Sequence, residues 1–594
     1  MRHRPAFRTG TMIFTSDQLV AQNFPTLSRH PLLANPTKAI LKYLLHEQQC
    51  NDIAAQLSHL QGTDFVDQLL ETFDFSYTLA DREREHIPHS GGVVIFANHP
   101  IGSLDALALI KLISEVRKDI KVVANQLLMA ITPLHQILLP VNNMSGGTAK
   151  QHLTAIHQHV KNGGALLIFP SGEVSRLRPN GVRDSHWQSG FVKIARACNA
   201  PLLPVLVDAR NSAAFYGASM LFKPLGSLLL VKEMFKQQGR RMPVRIGGLI
   251  PLQALDSAHG DIHQQAQRLK SHLYRLGSGR PSLFKTLPPI APPEPRKALW
   301  QALRECQLLG YTQDKMAIYL YRHQETNPVM REIGRLREVA FRAVGEGTGK
   351  RRDIDGYDSR YLHLVLWDPQ QMEIAGAYRL GCCRQILANN QDSGLYSQSL
   401  FHFSEEFHPI MEQGLELGRS FVQPQYWGKR ALDYLWYGIG AFLAQHPEYR
   451  YLFGPVSISN DMHPEAKAML VHFYRRFFGQ SGWAIANQGY QLTDELQTRL
   501  DALYPDHDYA TGFPLLKANL ASLGESVPTL FKQYVEVAKN GGTRFLDFGV
   551  DPQFNHCIDG LVLVDISLLK SKKRARYVDA HRQMVTEGDT ERAV

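Results

Sequence analysis

The chain has 594 residues, 44% of them hydrophobic and 20% charged, and it carries a formal net charge of +10. This is ordinary globular composition for more than one domain, and the positive charge favours an anionic partner such as a membrane surface or an acidic carrier protein. No run of about 20 apolar residues is present, so no membrane-spanning helix is expected. The six cysteines lack zinc-ligand spacing, and we expect a reduced, cytosolic setting with no signal peptide and no metal site.

Short apolar strands alternate with helical patterns in the first half of the chain. The predicted strands are GGVVIFAN (91–98), IKVVANQ (120–126), GALLIFPSG (164–172) and PLLPVLVD (201–208), and the intervening helices include SLDALALIKLISEV (103–116) and GFVKIARACN (190–199). This alternation predicts an α/β domain over 81–285 with a mainly parallel sheet. Residues 1–80 are predicted to form a helical N-terminal extension.

A proline-rich linker over 286–297 separates the two halves, with five prolines in residues 288–295. The second half begins with a helix, MREIGRLREVAFRAVG (330–345), and continues with strands YLHLVLWD (361–368), EIAGAYRLG (373–381), LELGRSFVQ (415–423) and YRYLFGPVSIS (449–459). These elements predict an α+β domain over 298–510 with a mostly antiparallel sheet. The remainder, 511–594, is predicted to be an extension with a basic tail at 570–583.

A histidine follows the first buried strand, and a carboxylate lies six positions further along the chain. His99 stands where parallel sheets place ligands, and Asp105 is close enough in sequence to orient its ring. Imidazole titrates near pH 6.5 and accepts protons near neutrality. No serine, cysteine or metal ligand accompanies the pair. Taken alone, such a pair is also typical of a capped helix start. The simplest chemistry that it could perform is direct: the histidine deprotonates a substrate hydroxyl, whose oxygen then attacks an activated acyl group.

Three ordered blocks, NHPIGSLDA, IFPSGEVSR and APLLPVLV, resemble those of the glycerolipid acyltransferases of the PlsC type. The resemblance implies that His99 is the general base and Asp105 its orienting partner. It also implies a set of substrate-binding residues: Asn98, Phe169, Pro170, Ser171, Gly172, Glu173 and Arg176. The spacing between histidine and aspartate is one residue longer than in that family, so we expect either a bulge at Gly102–Ser103 or a different carboxylate geometry. Asn142 and Asn143 stand where the family often has a phosphate-binding arginine, which favours an acceptor without phosphate.

A second polar set follows the linker. Its order, R…F…D-x-x-D…R…E-x-x-R, resembles the acyl-homoserine-lactone synthases and ornithine N-acyltransferases of the GNAT superfamily. On this resemblance Glu416 is the candidate proton acceptor, with Asp355 as the second choice, and the substrate-binding residues are Arg337, Phe341, Asp355, Asp358, Arg379 and Arg419. Acidic side chains would hold an ammonium and arginines a carboxylate, as an amino-acid acceptor requires. Glu416 and Arg419, three apart, are expected on opposite faces of a strand.

The segment QYWGKRA (425–431) departs from the usual GNAT pyrophosphate loop because Arg430 replaces a small residue. We therefore expect acyl carrier protein, more than acyl-CoA, as the donor. The two halves together resemble the bifunctional ornithine lipid synthases, whose relatives are often labelled haemolysin-like.

The resemblance to these synthases implies N-acylation of an amino acid by a 3-hydroxyacyl group, then O-acylation of that lyso-lipid. It implies no cofactor beyond the acyl donor, no nucleic-acid partner, and peripheral attachment to the cytoplasmic face of the inner membrane. Three alternatives stay open: a lysophospholipid or 1-acylglycerol-3-phosphate O-acyltransferase with a regulatory GNAT-like domain, an acyl-homoserine-lactone synthase, and a non-enzymatic scaffold.

Overall fold

The computed structural model describes residue 42 and residues 46–581, apart from 125–130, 142–146, 180, 222, 257–259, 325–326, 389–393 and 505–507. The chain divides into two units, Met1–Pro289 and Ile290–Val594. The change of unit falls among the prolines of the predicted linker.

A seven-stranded sheet with strand order β1-β9-β8-β2-β5-β3-β4 forms the first unit. All of its neighbouring strands pair in parallel except β8 and β9. The predicted α/β class with a mainly parallel sheet is therefore confirmed. Its strands, with a separate hairpin β6–β7, are β1 (Ser76–Thr78), β2 (Val93–Ala97), β3 (Ile120–Ala124), β4 (Leu138–Pro140), β5 (Ala165–Ile168), β6 (Arg176–Arg178), β7 (Gly181–Arg183), β8 (Leu202–Val207) and β9 (Arg241–Ile246).

Helices cover both faces of this sheet. They are α1 (Glu47–Leu57), α2 (Gly62–Thr72), α3 (Asp81–Arg84), α4 (Leu104–Ser114), α5 (Gly147–Lys161), α6 (Gly190–Ala197), α7 (Ala213–Leu221), α8 (Lys223–Phe235), α9 (Leu252–Asp256) and α10 (Ile262–Leu276). Alternate residues of β2 pack into two separate apolar clusters, with Val93 and Ile95 in one and Val94 and Phe96 in the other. A strand buried on both faces explains why its sequence is a continuous apolar run.

Part of the predicted N-terminal extension belongs to this sheet. β1 pairs with β9, and α2 buries Phe65, Val66 and Leu70 in one of the two clusters. A boundary at residue 80 would remove an edge strand from the sheet. Residues 1–41 lie outside the described part of the chain.

The second unit contains an eight-stranded sheet with order β10-β11-β12-β13-β15-β16-β19-β18. Every neighbouring pair is antiparallel except β15 and β16. The strands, including the separate pair β14–β17, are β10 (Gln307–Tyr311), β11 (Ala317–Arg322), β12 (Leu362–Asp368), β13 (Glu373–Cys382), β14 (Phe401–Phe403), β15 (Gly414–Val422), β16 (Tyr451–Ile458), β17 (Ala484–Ala486), β18 (Thr543–Asp551) and β19 (Cys557–Asp565).

The helices of the second unit lie on both faces of its sheet. They are α11 (Arg296–Arg304), α12 (Pro328–Ala343), α13 (Cys383–Ala388), α14 (His408–Glu412), α15 (Ala431–Gln445), α16 (Pro464–Phe478), α17 (Asp494–Leu503), α18 (Tyr509–Ser522), α19 (Thr529–Val537) and α20 (Ser571–Arg574). None of the helices in the described ranges has both the length and the apolar character that crossing a membrane requires.

The predicted boundary at residue 510 does not match the sheet. β19 pairs with β16 along the whole of that strand, and β18 pairs with β19. Both strands come from the predicted C-terminal extension. Its two long strands complete the sheet of the preceding domain, and separation at 510 would expose the edge of β16.

The basic segment that follows α20 is also packed against this unit. Tyr577 and Val578 are buried, and Tyr577 donates a hydrogen bond to Asp433 of α15 at 2.7 Å. Gly440 of the same helix passes so close that a Cβ atom there would overlap the carbonyl oxygen of Tyr577. This glycine therefore sets the distance between α15 and the C-terminal segment.

We expect Gly440→Ala to weaken this contact. Overpacking of this kind costs about 1–3 kcal/mol, and hydrogen–deuterium exchange over residues 571–581 should become faster. Gly217→Ala is the matched control, since Gly217 lies in a helix and a Cβ there meets no atom within 4 Å. Unchanged exchange in Gly440→Ala would show that the C-terminal segment is not held by α15.

Candidate active sites

The first candidate site lies where β2 leaves the sheet. Asn98, the first residue beyond the strand, donates to Val207 O and accepts from Val207 N, both at 2.8 Å. Its amide is thus committed to joining the ends of β2 and β8, and only 3% of the residue is exposed. Asn98, predicted to bind substrate, instead fixes the strand end from which His99 projects.

The imidazole of His99 and the carboxylate of Asp105 are joined by a hydrogen bond, with Nδ1 3.1 Å from Oδ2. Gly102 has φ +85°, a conformation that favours glycine, and a Cβ there would overlap Val174. The loop between His99 and Asp105 therefore turns at Gly102 in a way that a residue with a side chain would not easily adopt. The Asp105 carboxylate accepts hydrogen bonds from four main-chain N–H groups, those of Ile101, Gly102, Ser103 and Ala106.

The two groups shift each other's pKa values. Burial by itself lowers the pKa of the His99 imidazole, but the Asp105 charge and hydrogen bond outweigh it and raise the pKa above its usual value. Burial likewise opposes ionisation of Asp105, yet His99 and the main-chain donors hold the pKa of that carboxyl below its usual range. Nε2 of His99 makes no hydrogen bond to the described residues, and 19% of the side chain is exposed. The ring is therefore able to receive a proton at Nε2.

The second sequence block borders the same histidine. The Phe169 ring lies against His99, with centroids 4.3 Å apart, and Pro170 O accepts from the main chain of Gln188. Gly172, at φ +64°, closes a turn in which the Ser171 hydroxyl donates to Glu173 O at 2.6 Å. These residues therefore form a fixed wall and turn beside the imidazole.

Arg176 enters from β6 with much of its hydrogen-bonding capacity unused. Its Nη2 lies 3.5 Å from Glu173 Oε2, whereas Nε and Nη1 are buried without a hydrogen-bond partner among the described residues. Buried N–H groups without partners are costly. The guanidinium is therefore suited to receive an anionic group.

Asp184 is a residue of this site that the sequence analysis missed. Its carboxylate accepts hydrogen bonds from the Ser175 hydroxyl, from Trp187 Nε1 at 2.9 Å and from His99 N at 3.4 Å. It lies 85 residues beyond His99 and belongs to no quoted block. Burial is the main cause that raises the pKa of this carboxyl. Asp184 thus ties the main chain at His99 to the loop that follows the second block.

The second candidate site lies on one face of the eight-stranded sheet, between two apolar clusters. Arg337 from α12 donates to Asp358 at 2.9 Å, and Arg379 from β13 donates to both oxygens of Asp355 at 2.8 and 2.9 Å. Arg379 also reaches Asp358 at 3.3 Å. The predicted arginines and aspartates therefore form one buried ion-pair network, in which both arginines hold the pKa of the Asp358 carboxyl below its usual value.

Phe341 and three tyrosines surround these charges. Phe341 packs edge-on to Phe554, with ring centroids 4.9 Å apart. The guanidinium carbon of Arg379 lies 5.0–5.8 Å from the ring centroids of Tyr357, Tyr361 and Tyr396. Aromatic faces stabilise a desolvated cation, so this enclosure favours a charged Arg379 in the interior.

Glu416 lies behind the tyrosines. Its carboxylate accepts from the Tyr361 hydroxyl and from Ser397 N at 2.7 Å, and only 1% of the residue is exposed. Burial is the leading cause of the raised pKa of Glu416. Tyr361 in turn accepts from Tyr396 N at 2.9 Å. In this structure Glu416 therefore contacts the network through Tyr361.

Arg419 does not occupy the face that simple strand alternation predicts. It has φ +48°, and the pairing of β13 with β15 shifts by one residue beside it. This bulge places Arg419 on the same face as Glu416, where its Nη2 lies 3.5 Å from Asp355 Oδ2 and its Nε 3.3 Å from Asp353 Oδ2. The expectation of opposite faces was wrong because a bulge adds a residue to one strand.

The pairing between the central strands β15 and β16 ends close to Arg419. β15 and β16 pair in parallel only over Gly414–Glu416 and Tyr451–Phe453. Beyond these residues the described parts of β15 and β16 are not paired with each other, while each stays paired on its other edge, β15 with β13 and β16 with β19. We call the stretch between Arg419 and Ser457, where β15 and β16 are no longer paired with each other, the cleft.

Two further predictions concern ligands. Asn142 and Asn143 lie outside the described residues. Within the described part of the chain, no group of three or more His, Cys, Asp or Glu side chains is arranged to hold a metal ion.

Comparison with known proteins identifies the kind of chain to which these sites belong. A family model described as "Acyltransferase" matches residues 18–279, and one described as "Acetyltransferase (GNAT) domain" matches residues 336–437. The glycine N(alpha)-acyltransferase of Bacteroides thetaiotaomicron is 30% identical over 302 residues, which cover 49% of this chain and 89% of the relative. The chain belongs to the acyltransferase family. The predicted combination of an N-terminal acyltransferase domain with a GNAT domain is thereby confirmed.

Two further relatives of this acyltransferase carry related names. The lyso-glycine lipid O-acyltransferase of Phocaeicola vulgatus is 26% identical over 243 residues, covering 40% of this chain and 86% of the relative. The L-ornithine N(alpha)-acyltransferase of Agrobacterium fabrum is 29% identical over 249 residues, covering 40% of this chain and 76% of the relative. The roles of individual site residues stay predictions.

We expect Asp184→Ala to destabilise the N-terminal domain of the acyltransferase by about 1–3 kcal/mol, because buried donors would lose their acceptor. Urea unfolding followed by the fluorescence of Trp187 measures this, with the other tryptophans replaced by phenylalanine. Asp208→Ala is the control, since Asp208 is exposed at the end of β8 and should change stability by less than about 0.5 kcal/mol. Equal stability of both variants would contradict the linking role of Asp184.

Proposed function

We propose that this acyltransferase builds a diacylated aminolipid in two steps. The C-terminal domain joins a 3-hydroxyacyl chain to the α-amine of ornithine or a smaller amino acid such as glycine. The N-terminal domain then acylates the 3-hydroxyl of that lyso-lipid. The names of the relatives support pairing an N-acylation with a lyso-lipid O-acylation. The observation that carries the proposal is the His99–Asp105 pair beside an incompletely bonded Arg176, in a chain that also holds a GNAT domain.

In the O-acylation, His99 acts as the general base. Nε2 takes the proton of the lyso-lipid hydroxyl, and the oxygen attacks the carbonyl carbon of an acyl thioester. When the C–S bond breaks, the imidazolium returns the proton to the departing thiolate. Asp105 keeps Nδ1 protonated and stabilises the imidazolium between the two transfers, as its 3.1 Å hydrogen bond supports.

An aminolipid acceptor also explains the chemistry of Arg176. An N-acylated amino acid has no ammonium left, but it keeps a free carboxylate. The buried Nε and Nη1 of Arg176 would receive that carboxylate in the fork geometry that guanidinium groups favour. The acceptor hydroxyl would then approach His99 along the wall formed by Phe169.

In the N-acylation, the cleft beside β15 receives the amino acid. Arg419 binds its carboxylate, while the paired network of Arg337, Arg379 and Asp358 keeps Arg419 and its neighbours in place. The sequence analysis predicts Glu416 as the acceptor of the amine proton, with Asp355 as the second choice. The burial of Glu416 behind Tyr361 supports an indirect contribution, through the tyrosine, to the order of the cleft.

Acyl carrier protein is the donor that the proposal favours. Gln425 of the pyrophosphate-loop segment donates to Glu373, and the Arg430 guanidinium stacks on Tyr434 with its carbon 5.1 Å from the ring centroid. The phosphopantetheine arm of a carrier protein has no nucleotide, so this loop would not have to bind a pyrophosphate, as it would for CoA. The acidic surface of a carrier protein would complement a chain of net charge +10.

Attachment to the cytoplasmic face of the inner membrane, without a spanning segment, is part of the same proposal. The exposed Lys570 and Lys572 precede the packed Tyr577 and Val578, so basic groups are held at a fixed surface. Each lysine or arginine near an anionic bilayer contributes about 1 kcal/mol of attraction.

The pH dependence of O-acylation tests the His–Asp mechanism. Since His99 must be neutral to accept a proton and its pKa is raised, activity should fall as pH drops through a value above the usual 6.5 or so. In Asp105→Asn, burial dominates and lowers the His99 pKa, so the acid limb should move to lower pH while kcat/KM falls about 100-fold or more. Asp208→Asn should leave the profile unchanged, and an unmoved acid limb in Asp105→Asn would contradict the mechanism.

Lipid mass spectrometry of a bacterial host that lacks aminolipids tests the two-step order. The wild type should produce mono- and diacylated aminolipid. His99→Ala should accumulate only the monoacylated lipid, since N-acylation continues, whereas Glu416→Ala should yield neither species. If the host still contains no aminolipid when it expresses the wild type, the proposed function is rejected. A change in phospholipids alone would favour a lysophospholipid acyltransferase.

A further inference from the structure

Glu346 contacts Ser457 of β16, on one side of the cleft. α12 ends with Gly345 at φ +77°, and Glu346 N donates back to Phe341 O at 2.8 Å. This helix-ending turn directs the Glu346 side chain towards the sheet, where the Ser457 hydroxyl of β16 donates to its Oε2 at 2.9 Å. Glu346 is only 9% exposed, so a helix terminus buries a carboxylate beside a single hydroxyl donor.

Asp559 lies opposite Ser457, on the neighbouring strand β19. Asp559 is 5% exposed, and the one hydrogen bond of its carboxylate to the described residues comes from the Cys557 thiol at 3.7 Å. Neither Asp559 nor Glu346 forms an ion pair with any described arginine, lysine or histidine. Because buried carboxylates normally have such partners, this pair calls for a cation that the chain does not supply.

The arginines of the site lie nearest to other carboxylates than Glu346 and Asp559. Arg337 and Arg379 pair with Asp358 and Asp355, and Arg419 lies nearest Asp353 and Asp355. Burial, followed by repulsion from Asp551 and Glu346, raises the pKa of Asp559, and burial raises the pKa of Glu346 to about 7. A bound cation would relieve this cost.

A second, independent feature of the cleft points to a ligand with an anionic group. The Arg419 side chain is nine-tenths buried, and its Nε lies 3.3 Å from Asp353 Oδ2 without the geometry of a hydrogen bond. Its hydrogen bonds to Tyr396 and Asp355 are long, 3.4 and 3.5 Å. The Arg419 charge also acts on Asp559, where it opposes the rise in pKa that burial causes. A cation with long hydrogen bonds and two carboxylates without an ion pair, whose charges act on one another, are complementary to a zwitterion.

We propose that Glu346 and Asp559 bind the ammonium group of the amino-acid acceptor, and that Glu346 accepts the proton which this group must lose before it attacks. The inference rests on the proposed N-acylation and specifies its acceptor site. The ammonium gives one proton to Glu346, and the free amine attacks the thioester carbonyl. The C–N bond forms as the C–S bond breaks, the second proton leaves with the thiol, and Glu346 returns its proton to water.

This assignment gives the C-terminal strands a part in the reaction. Asp559 belongs to a strand beyond the GNAT family match, which ends at residue 437. Glu416, in contrast, is separated from the cleft by Tyr361 and acts on its order as a positioning residue.

The expected pH dependence follows from the groups around Glu346. The charged or titratable groups that face this part of the cleft are Asp559 and Cys557 on β19, Asp551 on β18, Arg419 on β15, and Asp461 in the loop that follows β16. Glu346 accepts a proton only when ionised, so N-acylation should rise with pH through about 7. The Ser457 hydrogen bond lowers the Glu346 pKa, and its loss should move this limb to higher pH.

The test measures amide formation by the full chain from a 3-hydroxyacyl thioester of acyl carrier protein, with glycine and L-ornithine as acceptor probes. In Glu346→Gln, kcat/KM should fall about 100-fold or more and the limb near pH 7 should vanish. Asp559→Asn should raise the acceptor KM about tenfold. Glu406→Gln, an exposed change on the same domain, is the matched control, and thermal unfolding checks each variant.

The outcomes separate this inference from the function on which it rests. If the wild type forms no amide with either probe, the proposed N-acylation and this inference fall together. If the wild type is active but Glu346→Gln keeps its acid limb, the inference alone is overturned. Should Glu346→Gln fail to fold, Ser457→Ala decides, because a limb shifted to higher pH supports the proposal and an unshifted limb overturns it.

Discussion

Three guanidinium groups buried on one face of the C-terminal sheet determine the form of the second site. Arg337, Arg379 and Arg419 come from a helix and two strands, and desolvating such cations is costly unless carboxylates meet them. The loop between α12 and β12 supplies these partners through Asp355 and Asp358. Because each aspartate interacts with more than one arginine, helix, loop and strands are fixed relative to one another, and the position of the cleft follows from this arrangement.

The bulge at Arg419 shows how a local irregularity serves the network. A regular strand would direct Glu416 and Arg419 to opposite faces, and Arg419 would then enter the apolar layer beneath α15. The left-handed conformation at φ +48° costs energy for a residue with a side chain. Ion pairing with Asp353 and Asp355, together with the Tyr396 and Phe554 rings, offsets that cost and places the guanidinium at the parting of β15 and β16.

Patterns in the sequence predicted what depends on neighbouring residues, whereas contacts between distant residues were predicted only where a family resemblance supplied them. His99 and Asp105 are six residues apart within one turn, so their pairing follows from the motif and from Gly102. Asp184 is 85 residues from His99, and the two residues come into contact only when the second block folds against β2. The strands near residues 543–565 were likewise assigned to an extension, because their partner β16 lies about a hundred residues earlier and pairing at that separation leaves no local pattern.

The two sites use buried carboxylates in opposite ways, and the number of donors around each group decides which. Asp105 accepts four main-chain hydrogen bonds in addition to His99, so it stays ionised, as its proposed role beside the His99 imidazole requires. Glu346 has one hydroxyl donor, and burial brings its pKa to about 7, where a carboxylate exchanges protons readily. A fully bonded carboxylate orients a base, whereas a sparsely bonded one is itself suited to be the base.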